Sequence, residues 1–214
     1  MKLKRIIFSL LTAVSIVTFV STSTKNVKAA TPDTNIRTEL KSTPLTKQGY
    51  VLQVKSGYDN KVYVGKENYK RVLSLAAQDK FLNNVKTVKP SQIKNVKFRV
   101  EKVVDIVNRG AGAPLYIISS KDKKYSCVTT QASLRCIYWN DRSVQSVINP
   151  LKKIYKGSGN LATKKSRNYF NQSVKAANNL PKSSKRTFLL NSLKQFKNDR
   201  SMSIEGTNLL FFGL

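Results

Sequence analysis

The 214-residue chain carries 39 lysines and arginines against 11 aspartates and glutamates, a formal net charge of +28, and contains no histidine. The missing imidazole excludes every catalytic or metal-binding arrangement built on histidine, and the charge excludes a polycation as partner. With 40% hydrophobic residues, nine Tyr and nine Phe, the chain can fill a core, which excludes global disorder.

Lys2, Lys4 and Arg5 precede the apolar run Ile6 to Val20, and a polar stretch then leads to NVKAATPD. A basic start, a short apolar centre and small residues before a cleavage point describe a signal peptide over residues 1–29, cleaved after Ala29. The apolar run is short for a membrane span, so no integral span is expected in the mature chain. No cysteine follows it to accept a lipid, and EGTNLLFFGL lacks the spacer and long tail of a lipid-anchor signal. The expected location is therefore secreted, either extracellular or non-covalently associated with the cell wall.

Residues 30–47 are polar and turn-rich and read as a flexible lead-in. GYVLQVK and KVYVG flank the turn signal SGYDN as a first hairpin. Tyr69, Val72, Leu73, Ala76, Phe81 and Val85 recur near helical spacing, which predicts one amphipathic helix over 67–86 before the turn at Lys89-Pro90. VKFRVEKVVDIV (96–107) and PLYIISS then read as strands of an antiparallel sheet. The stretch 48–140 is thus a sheet-rich α+β module.

Cys127 and Cys136 are the two cysteines of the chain. In an exported protein an even pair points to one disulfide. If YSCVTT and LRCIYW pair through a two-residue loop at Gln131 and Ala132, the cysteines face each other at a non-hydrogen-bonded site, within disulfide reach. The expectation is a stapled hairpin, although Gln-Ala lacks the glycine or asparagine that such a loop favours. No metal site and no cofactor is expected, because two thiolates are too few ligands and no other ligand cluster or phosphate-loop motif occurs.

After Trp139 the period lengthens. Asp141 can cap a helix whose Val144, Val147, Ile148, Leu151 and Ile154 share a face, with Pro150 kinking or restarting it. Helices follow at about 161–179 and 184–198, split at Leu180-Pro181. LLFFGL has the length of a final core strand. Residues 141–214 therefore read as a basic helical module closed by an apolar strand, and the fold class is α+β.

Between Leu151 and Arg200 the chain has 13 lysines and arginines and a single acid, Asp199. Lys152, Lys153, Lys156, Lys164, Lys165, Arg167, Lys182, Lys185 and Arg186 cluster at helix ends and linkers and are the candidate polyanion-binding residues. Basic patches beside aromatics such as Tyr155, Tyr169 and Phe170 commonly hold nucleic acid, but export argues against an intracellular nucleic acid. In a Gram-positive envelope the densest anions are teichoic-acid-like phosphate polymers, which would bind by counter-ion release as DNA does.

The stretches GAPLYIISSKDKKYSCVTTQASL and SVKAANNLPKSSKRTFLLNSLKQF, with the closing LLFFGL, resemble small, basic, secreted, uncharacterised proteins of lactobacilli over most of the mature chain. KVYVGKENYKR and VKAAN echo, more faintly, the wall-binding repeats of surface-layer proteins. The resemblance implies an envelope location and no activity. The function expected is a non-enzymatic, secreted cationic protein held at the envelope by anionic polymers. Alternatives are a membrane-active bacteriocin-like protein, an adhesin for host polyanions, or a wall-acting hydrolase using carboxylates such as Glu101 and Asp105.

Overall fold

A computed structural model describes residues 36–40, 44–58, 60–75, 82, 84–107, 114–202 and 208–214. The expected signal peptide, and residues 30–35 of the lead-in, lie outside these.

Among the described residues eight strands form one antiparallel sheet: β1 (Ile36–Leu40), β2 (Leu52–Val54), β3 (Val62–Val64), β4 (Thr87–Val88), β5 (Phe98–Val107), β6 (Leu115–Ser120), β7 (Tyr125–Thr130) and β8 (Leu134–Cys136). The described residues also form four α-helices: α1 (Lys66–Leu75), α2 (Gln145–Lys156), α3 (Lys164–Asn178) and α4 (Ser184–Asp199). The class is α+β, with strands first and three of the helices last. Among the described residues no helix is long and apolar enough to cross a membrane.

The sheet runs β4-β3-β7-β6-β5-β2-β8, with β1 also paired to β5. β7 and β8 are joined by the short turn Gln131–Ser133, yet β6, β5 and β2 lie between them. Four steps of about 4.8 Å would separate them by roughly 19 Å in a flat sheet, whereas four Cα–Cα steps reach at most about 14 Å. The sheet must curl.

That curl overturns the stapled hairpin. β8 pairs with β2, placing Cys136 opposite Leu52, while β7 pairs with β6 and β3, placing Cys127 opposite Ile118. The two cysteines are buried free thiols on strands that are not sheet neighbours. The 3-10 turn at Gln131–Ser133 redirects the chain, as the absence of hairpin-turn residues there requires.

The first hairpin is corrected in the same way: β2 pairs with β5 and β8, and β3 with β4 and β7. Residues 36–40 of the lead-in are a strand, because β5 is ten residues long and its far end, Val103–Val107, offers an edge that β2 does not reach. α1 ends at Leu75; residues 76–81 and 83 of the longer helix expected lie outside the described residues. Residues 84–86 are not helical, since Asn84 takes φ 57, left-handed backbone that a helix interior excludes.

Alternation along the strands sends side chains to two cores. On one face Tyr63, Val104 and Ile117 meet Val72 of α1. On the other, Phe98, Val100, Tyr116, Ile118, Cys127 and Cys136 meet the helices. There Val147, Ile148, Leu151 and Ile154 of α2 join Phe170 of α3 and Leu189, Leu193 and Phe196 of α4. Residues Thr34–Leu214 form one compact unit.

Pro150 sits inside α2 without ending it. The four wholly buried apolar residues around it outweigh an interior proline's penalty of about 3 kcal/mol. Ser173 of α3 donates to the Val147 carbonyl at 2.9 Å, one residue beyond the Ser146 carbonyl that the proline leaves without its usual partner. Asp141 caps as expected: its carboxylate accepts from the Ser143 amide at 2.9 Å, starting the 3-10 turn Arg142–Val144 that feeds α2.

The apolar C-terminus is core, but not a strand. Leu209–Phe211 forms a 3-10 turn started by Asn208, whose side chain accepts from the Leu210 amide at 3.1 Å and donates to the Ser192 carbonyl at 2.8 Å.

Candidate polyanion-binding surface

The candidate cations fall into two groups at opposite ends of α3, about 22 Å apart for its 15 residues. The first surrounds the loop from α2 to α3. Lys153 and Lys156 lie in the last turn of α2, and Lys164, Lys165 and Arg167 in the first turns of α3. Lys153, Lys156, Lys164, Lys165 and Arg167 are all exposed. Lys153 places its ammonium 5.1 Å from the Tyr169 ring centre, and Tyr155 beside it is 47% exposed.

The end of α4 returns to this same loop. Leu161 donates its amide to the Arg200 carbonyl at 2.9 Å, Met202 donates to the Gly159 carbonyl at 2.9 Å, and Asn160 pairs with Ser201. Arg200, and Lys197 about one turn earlier, therefore join the first group. Sequence reading missed both, because their proximity arises from a contact spanning some forty residues and no local spacing announces it.

Charge placement at this corner is unequal. Lysines at the end of α2 complement its negative pole. Lys164, Lys165 and Arg167 stand at the positive pole of α3, where no acid occupies the first turn and each cation is disfavoured by about 0.3–1 kcal/mol. Thr163 caps the helix by accepting from the Ser166 amide at 3.0 Å. Arg167 turns back to donate to the carbonyls of Ala162 at 2.6 Å and Leu161 at 3.2 Å, so it braces the loop.

The second group, Lys182, Lys185 and Arg186, is less available. Lys185 donates to the Asp141 carboxylate at 2.6 Å and to the Ser143 hydroxyl at 2.7 Å, and lies over the Tyr138 ring. The Lys185 ammonium holds the Asp141 carboxyl down to about 2. Arg186 is half-buried, with an Nε that is buried and unpartnered. Lys182 alone of the three is exposed. Lys152, between the groups, is half-buried and donates to Gln145 Oε1 at 2.9 Å.

The carboxylate considered for hydrolysis, Glu101, is the extra residue of a β-bulge where the β5–β6 register shifts between Val100 and Lys102. Arg99 grips it through two bonds, Nε at 2.8 Å and an NH2 group at 2.9 Å, and Lys123 and Ser119 also donate to it. Burial would raise its pKa; the bonds from Arg99, Lys123 and Ser119 outweigh this and hold it at about 2. It is a structural anion, ionised and unsuited to donate a proton. The side chain of Asp105 lies outside the described residues.

No family model matches the chain, and no solved structure matches it. Among curated proteins it is similar to an uncharacterised Lactobacillus helveticus protein described as lying in the hlv 5' region, 47% identical over 157 residues that cover 71% of this chain and 95% of the relative. The chain belongs to the family of that protein.

Proposed function

We propose that this is a secreted, non-enzymatic cationic protein held at the cell envelope by phosphate-bearing anionic polymers of the teichoic-acid kind. The observation that carries the reading is the corner where α2, α3 and α4 meet. Exposed Lys153, Lys156, Lys164, Lys165 and Lys197 gather there with Arg200, and Asp199, next to Arg200, is the one acid between Leu151 and Arg200.

A row of phosphates along this corner would relieve the repulsion among these cations and the mismatch with the positive pole of α3. Tyr155 and the Lys153–Tyr169 pair add flat apolar surface for the carbon backbone of such a polymer. The signal-like leader and the resemblance to secreted lactobacillar proteins support an envelope location. Burial of Leu209, Leu210, Phe211 and Phe212 weighs against a lipid-inserting tail, since those side chains are already committed to the core.

The test is retention of the purified protein on immobilised teichoic acid. Elution by sodium chloride alone is expected; elution that requires detergent, or no retention at all, would remove the proposal.

A further inference from the structure

The outward face of α3 continues from the basic corner. Lys164, Asn168, Asn171, Lys175 and Asn178 follow one another at intervals of four, three, four and three residues. At about 100° per residue they fall within an arc of about 80° and run about 21 Å along the helix axis. Ser166, Phe170, Ser173 and Ala177 are buried on the opposite side, and all five residues of the stripe are exposed among the described residues.

The composition of this stripe works against the helix that carries it. A face that serves solubility alone is most stable when built from strong helix formers in oppositely charged pairs four residues apart. α3 contains no acid, so neither lysine of the stripe has an ion-pair partner on its own helix. Lys164 also stands at the positive pole, where a cation is disfavoured. Asn168 and Asn171 occupy interior turns, although asparagine is a weak helix former whose side chain competes for the backbone. The result is a line of exposed amides between two cations about 16 Å apart.

We propose that one extended strand of a polyol phosphate polymer lies along this stripe, with phosphates on Lys164 and Lys175 and the hydroxyls of the intervening units on the amides of Asn168 and Asn171. The track rests on the polyanion reading of the corner and extends it, because Lys164 belongs to both. A side-chain amide donates through its NH2 group and accepts through its oxygen, so it pairs with a hydroxyl in either direction and needs no charge. A chain charged at every link would be better matched by lysine at every position. An apolar partner would find no carbon surface here, since the aromatic ring of α3 nearest the buried side, Phe170, faces the core.

The experiment is amide-resolved NMR titration of the mature protein with glycerol phosphate dimer, which is shorter than the stripe, and with the octamer, which is longer. Polyphosphate is the probe that lacks hydroxyls along its chain. With the dimer, shifts should stay within residues 153–167 and 197–202; with the octamer they should also reach Asn171, Lys175 and Asn178. Asn168→Ala/Asn171→Ala should weaken octamer binding roughly tenfold and leave dimer and polyphosphate affinity unchanged. The slope of log affinity against log salt should stay the same in this variant, since a neutral amide releases no counter-ion. Its thermal midpoint should not fall, because alanine is the stronger helix former. Octamer shifts that stop at Arg167, octamer affinity unchanged in the variant, an equal loss with polyphosphate, or weaker binding accompanied by a lowered midpoint would overturn the track while leaving salt-dependent binding at the corner intact. Failure of every probe to bind would remove the corner and the track together.

Discussion

The Phe212 carbonyl accepts a hydrogen bond from the Cys136 amide at 3.1 Å, tying the last residues of the chain to the edge of β8. Trp139 donates its indole N–H to the Leu210 carbonyl, and Phe212 packs edge-on to Tyr116 with ring centres 5.1 Å apart. Gly213 follows at φ +84, and a Cβ there would stand 2.4 Å from the Leu134 carbonyl oxygen. Removal of 209–214 should therefore abolish cooperative folding. Phe212→Ala should lower stability by about 3–5 kcal/mol, and Gly213→Ala should also destabilise, through clash and strained backbone together. Urea denaturation followed by near-UV circular dichroism checks all three; a truncated chain with a native transition would contradict the account.

Cys127 and Cys136 are wholly buried, and burial pushes each thiol up to about 12. Thiolate is the reactive form, so neither should alkylate in the native protein at mildly alkaline pH, and both should react once urea unfolds the chain. Intact mass before and after reduction should agree. A two-hydrogen difference, or rapid alkylation of the folded protein, would contradict the free, buried state. Cys127→Ser should destabilise by about 1–3 kcal/mol, by placing a hydroxyl opposite Ile118 within the apolar core.

Much of this molecule is legible in its sequence, and the failures share one cause. α3 and α4 follow from periodicity and from the break at Leu180-Pro181, while the caps that fix their starts, Thr163 and Ser183, are seen only in the structure. Strands β5, β6 and β7 are legible by alternation and turn signals. Pairing was not. Neighbours in sequence, β2 with β3 and β7 with β8, were expected to pair, and in each case a strand distant in sequence takes the place. Curling brings together edges that local patterns cannot name, and the same long-range closure delivers Arg200 to the loop at Gly159 and Leu161. The basic surface is legible as composition, but the withdrawal of Lys185 from it depends on Asp141 reaching that ammonium across 44 residues.

Glu101 and Asp141 are both held near 2, below their ordinary values of 4.5 and 3.8. A carboxyl with a depressed folded pKa stabilises fully above its unfolded pKa and loses that contribution as pH falls toward the folded one. Stability should therefore be flat between about pH 5 and 8 and drop between about pH 4.5 and 2, with a separate fall above about pH 9 as the unfolded chain releases the protons that the buried Cys127 and Cys136 hold. Glu101→Gln should remove part of that drop and destabilise by about 1–3 kcal/mol at neutral pH, because Arg99 and Lys123 lose their partner. Denaturation midpoints across the pH range check this; an unchanged acid limb in Glu101→Gln would contradict it.

The central claim is that a localised basic corner, and not net charge alone, binds a phosphate polymer. The direct measurement is the slope of log affinity against log salt for purified teichoic acid, since that slope counts the counter-ions released. Lys156→Glu/Lys164→Glu/Lys165→Glu should weaken binding and flatten the slope. The matched control Lys86→Glu/Lys94→Glu/Lys97→Glu, three exposed positions beside the sheet, should change it far less. Equal effects from the two triple variants, or affinity insensitive to salt, would contradict the account.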